Sequence, residues 1–82
     1  MSTLNENIEL EKKIKSILAF YATGNYDEVV SRTKILLKKF PNIIDLYNLL
    51  ALGYNGINRQ KEGIEVLEDA IVKQPNNMHF LN

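Results

Sequence analysis

Ile44-Asp45-Leu46-Tyr47-Asn48-Leu49-Leu50-Ala51-Leu52-Gly53-Tyr54-Asn55 decides the fold, together with the Pro41-Asn42 before it and the Pro75-Asn76 that copies that pair downstream. Drawn as a helix, Ile44 to Asn55 is apolar on almost every side, so it needs neighbours in more than one direction. Gly56-Ile57-Asn58 makes a turn. Gln60 to Lys73 then places Ile64, Leu67, Ala70 and Ile71 at helical spacing, and Pro75-Asn76-Asn77 ends the segment. Two helices joined by so short a turn are expected to lie antiparallel.

The offset between Pro41 and Pro75 recurs along the chain. It also aligns Leu18 with Leu52, Phe20 with Tyr54, Glu28 with Glu62, Leu37 with Ile71 and Lys39 with Lys73. An upstream hairpin is therefore expected. Thr3-Leu4-Asn5-Glu6 has a capping-box pattern that would start its first helix near Leu4. Leu10, Ile14, Ile17, Leu18 and Tyr21 form one helical face, and Gly24-Asn25 stops it. The second helix, from Tyr26 to Lys39, carries Val29, Val30, Ile35, Leu36 and Leu37, with Phe40 just beyond, and Pro41 ends it. Met78-His79-Phe80-Leu81-Asn82 reads as the first turn of another helix. The expectation is an all-α chain of antiparallel helical hairpins. Residues 1–9 extend the first helix, 10–43 form a degenerate first repeat, 44–77 a second, and 78–82 begin a third.

The composition narrows the function. A chain of 82 residues makes one small domain that is marginal alone. Cysteine is absent and histidine occurs once, so neither a disulfide nor a histidine-rich metal site props it up. No cofactor is implied. Formal net charge is zero, which argues against a nucleic-acid surface. The basic cluster Arg32, Lys34, Lys38 and Lys39 suits a helix C-terminus. No apolar run reaches the roughly 20 residues of a membrane span, and the polar N-terminus is not a targeting peptide. A cytoplasmic location is expected.

The second hairpin resembles the tetratricopeptide repeat. That family's pattern runs large aromatic, Leu-Gly, Tyr, Ala, a bulky residue, Ala and Pro. Tyr47, Leu50-Ala51, Tyr54, Gly63, Leu67, Ala70 and Pro75 fill those slots at the right spacing. Small residues at Ala51, Gly63 and Ala70 would let helix backbones approach. In the first hairpin Phe20, Gly24-Asn25-Tyr26, Val29, Leu36 and Pro41 fit, while Lys13 and Ser16 stand where the family prefers an aromatic and a leucine. A one-residue shift would put Ile14, Ile17, Leu18 and Tyr21 in those slots with a tighter connection at Gly24. On sequence both registers are open. Phe40-Pro41-Asn42 with Leu46 to Ala51 also looks like the leading repeats of bacterial sulfotransferases and glycosyltransferases, so a helical leader of a larger transferase is the alternative.

The resemblance implies an α-α superhelix that holds a peptide or protein on the concave surface formed by the first helix of each hairpin. Carried onto this chain, the binding positions are Ile14, Lys15, Leu18 and Tyr21, then Asp45, Asn48, Leu49, Leu52 and Asn55. Asparagines there would hydrogen-bond a ligand backbone and leucines would pack on its side chains. The basic residues with which some members clamp a C-terminal carboxylate are missing.

An uncapped last hairpin is expected to expose apolar surface around Tyr47, Tyr54 and Leu67 unless Phe80 and Leu81 cover it. That end would take the chain's own continuation or a second copy, making a homodimer. No catalytic constellation stands out. The tyrosines read as packing residues, His79 lacks an acid or nucleophile partner, Gly53-Tyr54-Asn55-Gly56 lacks the spacing of a phosphate loop, and Glu65, Glu68 and Asp69 read as a solvated face.

Overall fold

A computed structural model describes residues 2–73, with side chains from residue 7 onward. It consists of four helices: α1 (Ser2–Ala22), α2 (Tyr26–Lys39), α3 (Ile44–Gly56) and α4 (Gln60–Lys73). Among the described residues there is no strand. The helix limits follow the turn and proline signals closely. The exception is the first, where α1 already runs at Ser2 and Thr3 lies inside it. Thr3 therefore does not stand at the expected cap position. Met78 to Asn82, with His79, Phe80 and Leu81, lie outside the described residues.

Antiparallel pairing is fixed from both ends of the first hairpin. Glu9, in the first half of α1, accepts a hydrogen bond from Lys39 at the end of α2 at 3.0 Å. At the other end Tyr21 meets Tyr26 edge-on, with ring centroids 5.4 Å apart. In the second hairpin Tyr47, early in α3, meets Lys73 at the end of α4.

The core lies where α3 enters the first hairpin. Leu10, Ile17, Val29, Leu36, Leu46 and Leu49 are buried together, and Val30, Leu50 and Tyr54 form an adjoining cluster. The nearly all-apolar α3 is sandwiched between α2 and α4, as its composition demands. Gly53 is a point of close approach to α2. A Cβ built there would stand 2.9 Å from a methyl of Val29 and 2.9 Å from a methyl of Val30. Between α3 and α4, a Cβ on Gly63 would come within 3.3 Å of the Ala51 carbonyl oxygen. The small residues thus let α3 and α4 close up.

The geometry also selects one register for the first hairpin. Ile17, Val29 and Leu36 are buried, as are Ala51, Gly63 and Ala70, each one repeat later. The first trio is larger, and α1 approaches α2 less closely than α3 approaches α4. The turns agree. Gly24 and Asn58 both have positive φ, at 82° and 66°. The Gly24 and Asn58 amides donate to the carbonyls of Tyr21 and Asn55, at 3.1 and 3.0 Å. The next amides, of Asn25 and Arg59, reach Phe20 and Tyr54, at 2.9 and 2.8 Å. Both helix ends are therefore Schellman caps. The register that shifts the first helix by one residue is not the one adopted.

Candidate interaction surface

The first helix of each hairpin carries the sequence-derived binding positions, and the structure divides them into two groups. Asp45, Asn48, Leu52 and Asn55 are exposed and, at spacings of three and four residues, share one face of α3. Lys15 and Leu18 are exposed on α1. Leu18 and Leu52 occupy the same place in their hairpins and are 46% and 40% exposed.

The remaining expected positions are taken by packing. Leu49 is buried in the core with Leu46, three residues earlier on the same stripe of α3. It is not a surface residue, and a ligand could not reach it without unfolding α3 from α1 and α2. Ile14 and Tyr21 are half-buried against that same core, so they offer only an edge to a ligand.

The expectation for the open end needs a larger correction. Tyr47 and Tyr54 are buried, because they turn back on the first hairpin instead of outward. Tyr54 packs with Val30 and Leu50. The Tyr47 hydroxyl donates to the Pro41 carbonyl at 2.7 Å and accepts from the Lys73 ammonium at 3.2 Å. Leu67 is only half-buried. The apolar residues left open on α4 include Ile64 and Ile71, at 58% and 39%. Their counterparts one repeat earlier, Val30 and Leu37, are the ones that α3 covers. The repeat offset itself pairs Val30 with Ile64 and Leu37 with Ile71, and of these only Val30 and Leu37 are packed against α3.

The opposite end of the stack mixes polar side chains with the exposed Ile35. Lys13, Ser16 and Arg32 line a concavity with Ile17, Ile35 and Leu36. Lys13 and Ser16 correspond to Tyr47 and Leu50 one repeat later, but Lys13 and Ser16 are exposed where Tyr47 and Leu50 are buried. Arg32 lies over the Phe20 ring at 4.7 Å and pairs with Glu28 at 2.8 Å, so the aromatic edge is screened by charge.

Titratable groups are tuned by pairing. Lys39 beside Glu9 holds that exposed carboxyl below the usual carboxylate range, by hydrogen bond first and by charge second. The Tyr47 hydroxyl, and then Asp69, push the Lys73 ammonium above the usual lysine range. Both groups pair across neighbouring helices, Glu9 with Lys39 of α2 and Lys73 with Tyr47 of α3. Glu65, Glu68 and Asp69 are exposed, as expected. Among the described residues no cluster of histidine or carboxylate could hold a metal ion, and no helix is long and apolar enough to cross a membrane. Comparison with protein-family models, curated proteins and solved structures returned no match.

Proposed function

We propose that the chain is a polypeptide-binding module of the tetratricopeptide type, which takes an extended peptide or a helix across the exposed face of α1 and α3. The observation that carries this reading is the pair Leu18 and Leu52. A single exposed leucine is ordinary on a soluble domain. Two at the same place in successive hairpins make a repeating apolar feature, and on α3 the exposed side-chain amides of Asn48 and Asn55 add hydrogen-bonding groups. We assign the module no catalytic step, since packing accounts for its tyrosines. The test is selection of peptides from a display library against the wild type, followed by binding to a Leu18→Glu, Leu52→Glu variant. Both sites are already half in water, so the variant should stay helical. Loss of binding supports the reading, and equal binding by every selected peptide refutes it.

A second reading is favoured by Ile64 and Ile71. The equivalent surface of the first hairpin is covered by α3, so the second hairpin is built to receive a helix of the same kind. The chain's own continuation or a second copy would supply it. Sedimentation across a concentration range tests the second copy. A strictly monomeric species at high concentration would exclude it.

A further inference from the structure

We propose that the groove between the C-terminal halves of α2 and α4 binds a short acidic peptide with carboxylates two residues apart and an apolar side chain between them. The walls are apolar: Leu37 from α2, Tyr47 from α3 and Val66 from α4. Three ammoniums stand around them, Lys34 and Lys38 on α2 and Lys73 on α4. Asp69 is the sole carboxylate among the lining residues, and it is engaged by Lys73 at 3.4 Å.

Lys34 and Lys38 are not consumed internally. Lys34 lies over the Tyr54 ring at 5.5 Å, and no carboxylate of the described residues pairs with either lysine. The ends of α2 and α4 each add about half a negative charge. Three ammoniums against one carboxylate and those two half-charges leave the groove positive.

The spacing selects a peptide over a free anion. Lys34 and Lys38 are one helical turn apart, about 5–6 Å between Cβ atoms. Alternate residues of an extended chain are separated by roughly 6.6 Å. Carboxylates at alternate positions can therefore face Lys34 and Lys38 while the residue between them points the other way, toward Val66. An inorganic anion could pair with the same lysines but would place no apolar group against Leu37 and Val66. This groove is on a different side from Leu18 and Leu52, so it stands independently of the peptide-binding face.

The test uses the full chain, labelled with nitrogen-15, and a fluorescent hexapeptide of alternating glutamate and leucine. Saturable binding is expected, with amide shifts at Lys34, Leu37, Lys38 and Val66. A Lys34→Gln, Lys38→Gln variant should bind roughly fivefold more weakly, on the scale of exposed ion pairs. Raising salt should weaken wild-type binding in the same direction. The Leu18→Glu, Leu52→Glu variant should bind as wild type does. No saturable binding at millimolar peptide, equal binding by the lysine variant, equal binding of a glutamine-leucine control peptide, or shifts confined to α1 and α3 would each overturn the proposal.

Discussion

Gly24 and Asn58 stand at the same place in the two hairpins, one repeat apart, and are the two described residues with positive φ. Each closes a Schellman cap through the same pair of backbone hydrogen bonds. The chain thus reuses one turn with two different residues. Glycine carries no steric penalty there, and asparagine is among the side chains that tolerate it best.

That relationship makes the first prediction. Nothing lies within 4 Å of a Cβ built on Gly24, so only the backbone conformation resists a side chain. Gly24→Ala should cost about 1 kcal/mol in urea unfolding, and Gly24→Asn distinctly less. Equal stability of the alanine variant and the wild type would show that the turn is not held left-handed.

Gly53 poses the opposite case, in which space is the constraint. A methyl there would press on Val29 and Val30. Gly53→Ala should destabilise by about 1–3 kcal/mol through overpacking. Adding Val30→Ala should recover part of that loss, so the two changes will not be additive. Simple additivity in unfolding free energy would mean that α3 does not approach α2 at this point.

Thr33 is fully buried in α2, and its hydroxyl oxygen has no hydrogen-bond partner among the described residues. A buried unpaired hydroxyl is costly, and valine has the same shape without it. Thr33→Val should raise the unfolding free energy by about 1 kcal/mol. A loss of stability would reveal a bond that the hydroxyl makes.

Two charged contacts predict opposite pH behaviour. The Glu9 carboxyl is lowered by Lys39, so its contribution is present above the unfolded carboxylate pKa. That contribution fades as pH falls through the lowered folded value. The Lys73 ammonium is raised, so its contribution is present below the unfolded lysine pKa and is lost as pH rises through the raised one. Melting temperatures should therefore show Glu9→Gln reducing acid sensitivity and Tyr47→Phe reducing alkaline sensitivity. Both effects are small, since both groups are exposed. Reversal of either sign would contradict the contacts.

Helix limits were legible because Gly24-Asn25, Pro41-Asn42 and Gly56-Ile57-Asn58 are strong local signals that packing did not override. The direction in which α3 faces was not. Its apolar residues run all around, so periodicity gives no preferred side and does not distinguish buried Tyr47, Leu49 and Tyr54 from the exposed face. Which side is covered depends on how deeply α3 inserts against α2, and Gly53 controls that through a contact distant in sequence. The first hairpin's register was equally undecidable from Lys13 and Ser16, which are polar because they face away from the core. The turn hydrogen bonds at Gly24 decide it. The lysine groove joins residues of α2 and α4, and only the folded stack brings Lys73 beside Lys34 and Lys38.

The most direct test of the central claim is a chemical-shift map of a peptide selected for binding to the intact chain. The account predicts that the largest amide shifts fall on Lys15, Leu18, Asn48, Leu52 and Asn55, while amides around buried Leu46 and Leu49 shift little. Shifts confined to α2 and α4, with α1 and α3 unmoved, would contradict it.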